Sequence, residues 1–377
     1  MKQIYLFCIN LLSFLLFIAL DNGYAQTIHR ITTGMNLQTE IDNAPSGDIY
    51  LVEGGVQNTN LDIDKKVTIF GTGYFLNTTQ ASPGVATVSH IRLKPGSDGS
   101  YISGLQTLSI NISANNVVIK NCYVSADKPI RLGYTGLGDD GGEWNGTANN
   151  CMILQNYAGR LEIINQNAPT AKAYNFQVKG NIFYRYGFHL EGDISGEISN
   201  NTFNLNAQPE DYISALNTTS GCAGTYQCNV LPVAFRNNIM VNVRGEFWGC
   251  ARPGWGGNVT SCPINSYPTT DFNGNVFTQD FTNLPSSNTI NADPDALFLG
   301  YPTNQNGFAP DARAQLAASS PAKGAGVGGV DAGAFGGDTP YVLNGIPTIP
   351  TIYQLTVPTQ VSQGGTLNVQ IKAKTNN

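Results

Sequence analysis

One spacing pattern limits what this chain can fold into more than any other feature. Four segments share the order apolar, any residue, Gly or Asn, Asn, any residue, large apolar: Val178 to Phe183, Ile198 to Phe203, Phe235 to Met240 and Phe272 to Phe277. Ile119 to Tyr123 and Leu154 to Tyr157 are shortened variants around Asn121 and Asn156. The step is 24 residues from Leu154 to Val178 and 20 from Val178 to Ile198, and the next two steps are 37 residues each. Those longer steps fit one coil plus a loop inserted on the same side. Neither a heptad nor a propeller blade has such a period, whereas a solenoid of short parallel strands does.

Asparagine suits the corner of such a coil for two reasons. It tolerates left-handed backbone, and its amide can hydrogen-bond the equivalent amide one coil away, at about 4.8 Å. A ladder of Asn121, Asn156, Asn181, Asn201, Asn238 and Asn275 is therefore expected. Phe183, Phe203, Phe277, Tyr123 and Met240 are expected to stack inside as its apolar counterpart. Composition agrees, with 42 glycines and 12% charged residues in 377: too few charges for a disordered chain, and too few strong helix formers for a bundle. The fold class expected is all-β, a right-handed parallel β-helix.

The first residues address the compartment. Lys2 precedes an apolar run from Ile4 to Leu20, and Gly23-Tyr24-Ala25 offers the small residues of a signal-peptidase site, so cleavage is expected before Gln26. The organisation expected is a signal peptide at 1–25, a β-helix over 26–338 and a tail over 339–377 with a hairpin around Gly364-Gly365. No transmembrane segment is expected after cleavage, and the protein should be secreted or at the cell surface. Removing the peptide leaves six cysteines. Cys222 with Cys228, and Cys250 with Cys262, share loops and are disulfide candidates, although cross-loop pairing stays open.

Leu37 to Gly55 resembles the amphipathic capping helix and first strand of the pectin-lyase-like β-helix proteins, and Leu61 to Tyr74 resembles their first full coil. Ser320 to Gly326 with Asp331 to Phe335 is similar to a closing motif of secreted bacterial members. The likeness covers about residues 35 to 336. It implies the fold, and it leaves function open among lyases, hydrolases, esterases, epimerases and adhesins.

Charge narrows the partners. A formal net charge of −6 with no basic run argues against nucleic acid. Aligning Ile130-Arg131-Leu132, Leu161-Glu162-Ile163 and Phe188-His189-Leu190 sends Arg131, Glu162 and His189 outward on one face. With loop aromatics Trp144, Tyr212, Trp248 and Trp255, these residues are the candidate substrate-binding set for a polysaccharide or cell-surface glycan. An exposed ion-pair ladder that only favours register is the alternative.

If the protein is an enzyme, a polysaccharide lyase fits better than a glycoside hydrolase. Arg131, Arg185, His189 and Arg244 are the candidate catalytic residues, and the paired-carboxylate motifs of hydrolases do not occur together. No metal site and no cofactor are assigned. Calcium is the one ion the acidic loop of Asp139, Asp140 and Glu143 suggests, and a solvated turn is the better reading of that loop. The functional expectation is thus a secreted β-helix that engages extracellular polysaccharide and cleaves it if catalytic. The alternative is a non-catalytic structural or adhesive surface protein.

Overall fold

A computed structural model of the chain describes residues 26–76, 84–137, 142–143, 145–163, 172–185, 188–190, 194–203, 205, 231–241, 269–278, 284–300, 309–356, 360 and 364–374. The expected signal peptide lies outside them.

Alternating short strands wind into a parallel β-helix. The first sheet has ten strands, from Ile28–Ile31 through Thr68–Phe70, Met152–Leu154 and Ile194–Ser199 to Thr269–Asn273. The second, also ten-stranded, runs from Gln57–Ile63 through Tyr123–Leu132 and Tyr157–Ile163 to Val276–Phe277. Every pairing in both is parallel, so each coil lays its strands on those of the coil before. The enclosed space is a continuous apolar core that includes Leu61, Ile69, Ile91, Ile119, Val178 and Phe235.

The short helix Leu37–Asn43 closes the first end. Asn36 caps it by accepting from the Thr39 N–H, and Leu37 and Ile41 are buried. Gln38 does the work of a missing strand: its amide donates to Asp62 O at 3.2 Å and accepts from Asp62 N at 2.7 Å, which satisfies the sheet edge.

The corner pattern holds with one division of labour that the repeat does not show. Left-handed backbone falls on the residue before the ladder position: Asn121, Gln155, Gly180, Asn200, Asn237 and Gly274, with φ from 53° to 67°. The ladder asparagines follow. Asn156, Asn181, Asn201, Asn238 and Asn275 each donate Nδ2 to the Oδ1 of the next, at 2.9 to 3.1 Å, and the row ends at Asn288. Each Oδ1 from Asn181 to Asn288 also accepts the backbone N–H of the ladder residue one coil earlier.

Asn121 is therefore not a rung. Cys122 stands there instead: its N–H donates to Asn156 Oδ1 at 2.9 Å, and its Sγ lies against the carbonyls of Ile102 and Lys120. Asn181 Nδ2 faces the matching pair, Ile153 O and Lys179 O. Burial pushes the Cys122 and Cys151 thiols up to about 12. Both are free thiols, and the four cysteines expected to pair lie outside the described residues.

Register also corrects one core residue. The interior row is Val124, Ala158, Phe183, Phe203, Met240 and Phe277. Tyr123 pairs with Tyr157 one position away, so it points out of the coil, stacked on Tyr157 and Tyr184. Ile119 and Val178 both pair with Ile153, so Asn121 matches Gly180 rather than Asn181, and Val124 rather than Tyr123 matches Phe183.

The chain after the last coil does not stop at that end. It returns along the corner row: Val327 N donates to Asn237 Oδ1, Asn200 Nδ2 to Asp331 O, Gln155 Nε2 to Pro340 O and Asn121 Nδ2 to Ile346 O. A second apolar cluster fills the seam, with Tyr74, Tyr157, Tyr184, Ile239, Ala332 and Tyr341. The segment likened to a closing motif thus runs down the side of the coils. Beyond it, Thr351–Thr356 and Gln370–Lys374 form the expected antiparallel hairpin.

Candidate functional site

The outward row inferred from the triplets exists. Arg131 pairs in register with Glu162, and Glu162 with His189. Three earlier coils extend it, because Asp62 pairs with Arg92, Arg92 with Asn111, and Asn111 with Arg131. Leu61-Asp62-Ile63, Ile91-Arg92-Leu93 and Ile110-Asn111-Ile112 repeat the same apolar, polar, apolar triplet, and that signal would have found the three missed residues. Alternation then puts His90 and Arg160 on the same face, two positions earlier in their strands.

Carboxylates in the row are each held by two cations. Glu162 accepts from Arg131 Nε at 2.7 Å through one oxygen and pairs with Arg160 Nη2 at 2.9 Å through the other. Asp62 accepts Arg92 through both oxygens, at 2.7 and 2.6 Å, and Lys94 approaches at 3.1 Å. Burial alone would raise the Asp62 carboxyl, but the hydrogen bonds from Arg92 and Lys94 outweigh it and hold it below its ordinary value.

Facing outward does not mean facing water here. The chain after Leu132 folds back over the middle of the row: Arg92 Nη1 donates to Thr135 O, Asn111 Nδ2 to Gly136 O, and the Arg131 guanidinium lies 4.8 Å from the Tyr134 ring centre. Thr135 and Glu143 then tie the two limbs of that loop together. Arg131 and Glu162 are left only 8% and 7% exposed. An exposed ladder is thus overturned for this pair, which anchors the loop from beneath. The accessible groups flank it: the side chains of Arg160, Lys94 and Arg92 are 34%, 33% and 24% exposed.

Of the other candidates, Arg185 is half-buried directly after Tyr184 on the seam, and His189 is placed by its backbone alone. Trp144, Tyr212, Arg244, Trp248, Trp255, Asp139 and Asp140 lie outside the described residues. Among the described residues no three His, Cys, Asp or Glu side chains gather as a metal site, and no helix is long and apolar enough to cross a membrane.

No protein-family model, no curated protein and no solved structure matches the chain.

Proposed function

We propose that this is an extracellular glycan-binding β-helix of the pectin-lyase-like type, exported by its signal peptide, which lays an acidic polysaccharide along the face flanking the buried Arg131–Glu162 pair. The observation that carries the reading is the gathering of Arg92, Lys94, Arg131 and Arg160 against Asp62, Asp64 and Glu162, in a chain whose overall charge is −6. Planar guanidinium groups match carboxylates, and the Arg160 guanidinium stands 34% exposed beside Glu162. The flat run of parallel strands supplies length for several sugar units.

Binding is the part of the earlier expectation this face supports, rather than cleavage by Arg131. A lyase base must reach the proton it removes, whereas Arg131 is 8% exposed beneath the loop with its Nε committed to Glu162 at 2.7 Å. Arg131 accordingly positions the loop.

The test is retention of the mature protein on immobilised polygalacturonate and alginate, with absorbance of unsaturated products followed in parallel. Salt-sensitive retention, reduced several-fold by Arg160→Gln, is the expected result. Absence of retention on every polyuronate, or retention indifferent to Arg160→Gln and to salt, contradicts it.

A further inference from the structure

A separate cleft opens on the first sheet near its last strands, where Leu231–Arg236 and Thr269–Asn273 pair with Ala234 opposite Asp271 and Arg236 opposite Asn273. One wall is polar, formed by Arg236, Asp271, Asn273 and Ser287. The other is the returning chain at Ala325 to Val327, and Gly274 and Gly326 leave the floor without side chains. Val327 N–H donates to Asn237 Oδ1 at 2.8 Å, which fixes the second wall, and the Val327 side chain is half-exposed above it.

The polar wall is a directed chain of hydrogen bonds. Ser287 Oγ donates to Asn273 Oδ1 at 2.6 Å, Asn273 Nδ2 donates to Asp271 Oδ1 at 2.6 Å, and Arg236 donates through Nε and Nη2 to Asp271 Oδ2. Two properties follow at its ends. With its proton committed, the Ser287 oxygen is left as an acceptor, while the Arg236 guanidinium has N–H donors besides the two given to Asp271 and a side chain 42% exposed. Donor and acceptor at opposite ends of one wall suit a ligand carrying several hydroxyls, each able to give and take.

Charge decides which such ligand. Carboxylate and guanidinium cancel here, whereas on the second sheet cations gather around Glu162. With its two charges paired one to one, the cleft offers hydrogen-bonding groups rather than a net charge to a ligand. The hydrogen bond from Arg236 also holds the Asp271 carboxyl below its ordinary value, so the compensation persists at neutral pH.

We propose that this cleft is a binding site for a neutral sugar, its hydroxyls bridging Arg236 and Ser287 and its ring edge resting on Val327. This site lies on a different sheet from the acidic-glycan face and does not depend on it.

The experiment is calorimetric titration of the mature protein with cello-, xylo- and mannohexaose, beside retention on polygalacturonate. At least one neutral hexasaccharide is expected to bind, about tenfold more weakly in Asp271→Asn and in Ser287→Ala, and unchanged in Arg160→Gln. Ser287→Ala keeps the test valid if Asp271→Asn lowers the thermal midpoint. The proposal is overturned if no neutral hexasaccharide binds, or if binding is equal in the wild type and both variants. Loss of polyuronate retention alone, with neutral binding kept, overturns only the reading of the second sheet.

Discussion

Asn201 shows how much one side chain can hold in a coil interior. Its Oδ1 accepts from the backbone and amide nitrogens of Asn181, and its Nδ2 donates to Val178 O and Asn238 Oδ1. All these groups are buried, so deletion strands donors and acceptors where no water replaces them. Asn201→Ala is expected to lower unfolding free energy by about 3–5 kcal/mol. Asn288→Ala, at the partly exposed end of the row, should cost less than half of that. Urea titration of both variants checks the ranking, and equal losses would mean that the row does not act as a buried ladder. At this scale the sequence revealed the asparagines but not their division of labour. Asn-Asn and Gly-Asn pairs look alike whichever member turns left-handed, and Cys122 carries no sign that its sulfur takes a place next to Asn156.

Strands were the most legible elements, because apolar alternation and a fixed corner determine register together. The returning segment was not, since Ala, Gly and Asp carry no period. What binds it is contact with distant coils. Gly180 illustrates this at φ +63°, where a Cβ would come within 2.1 Å of Thr339 O.

Near its far end the segment is tied by a buried acid. Asp311 Oδ2 accepts from the Tyr341 hydroxyl at 3.2 Å and from Asn344 N at 2.6 Å, and Tyr341 in turn meets the Tyr74 hydroxyl. Burial raises the Asp311 carboxyl above its ordinary value despite those bonds. A carboxyl raised in the folded state favours folding most below its unfolded value, and that contribution is lost as pH rises through the folded value. Asp311→Asn removes the titration. Its thermal midpoint should therefore gain on that of the wild type as pH rises from about 4 to about 8. A difference between the two that stays constant over this range would show that burial does not raise the Asp311 carboxyl. Asp48, Asp62, Asp98 and Asp271 have lowered values and the opposite dependence, and they cancel in the comparison.

Across the whole molecule, winding converts sequence distance into stacking distance, and both proposed sites follow from that. The Arg131 row gathers residues from Asp62 to His189, and the first-sheet cleft gathers residues from Arg236 to Val327. Triplet alignment made the centre of the first legible from sequence. It could not show that the loop after Leu132 covers the centre, because cover depends on backbone carbonyls at Thr135 and Gly136 that any residue supplies. The cleft was invisible for a related reason: one of its walls belongs to a segment with no repeat.

Winding of successive segments into one column can be read from a single distance. Val118, Met152, Gln177, Glu197 and Ala234 follow one another in register on the first sheet. Nitroxides carried on non-natural residues at 118 and 234 should give a narrow dipolar distance distribution near 19 Å, four rungs of about 4.8 Å. A broad distribution, or one centred beyond about twice that value, would contradict the coil and both sites built on it.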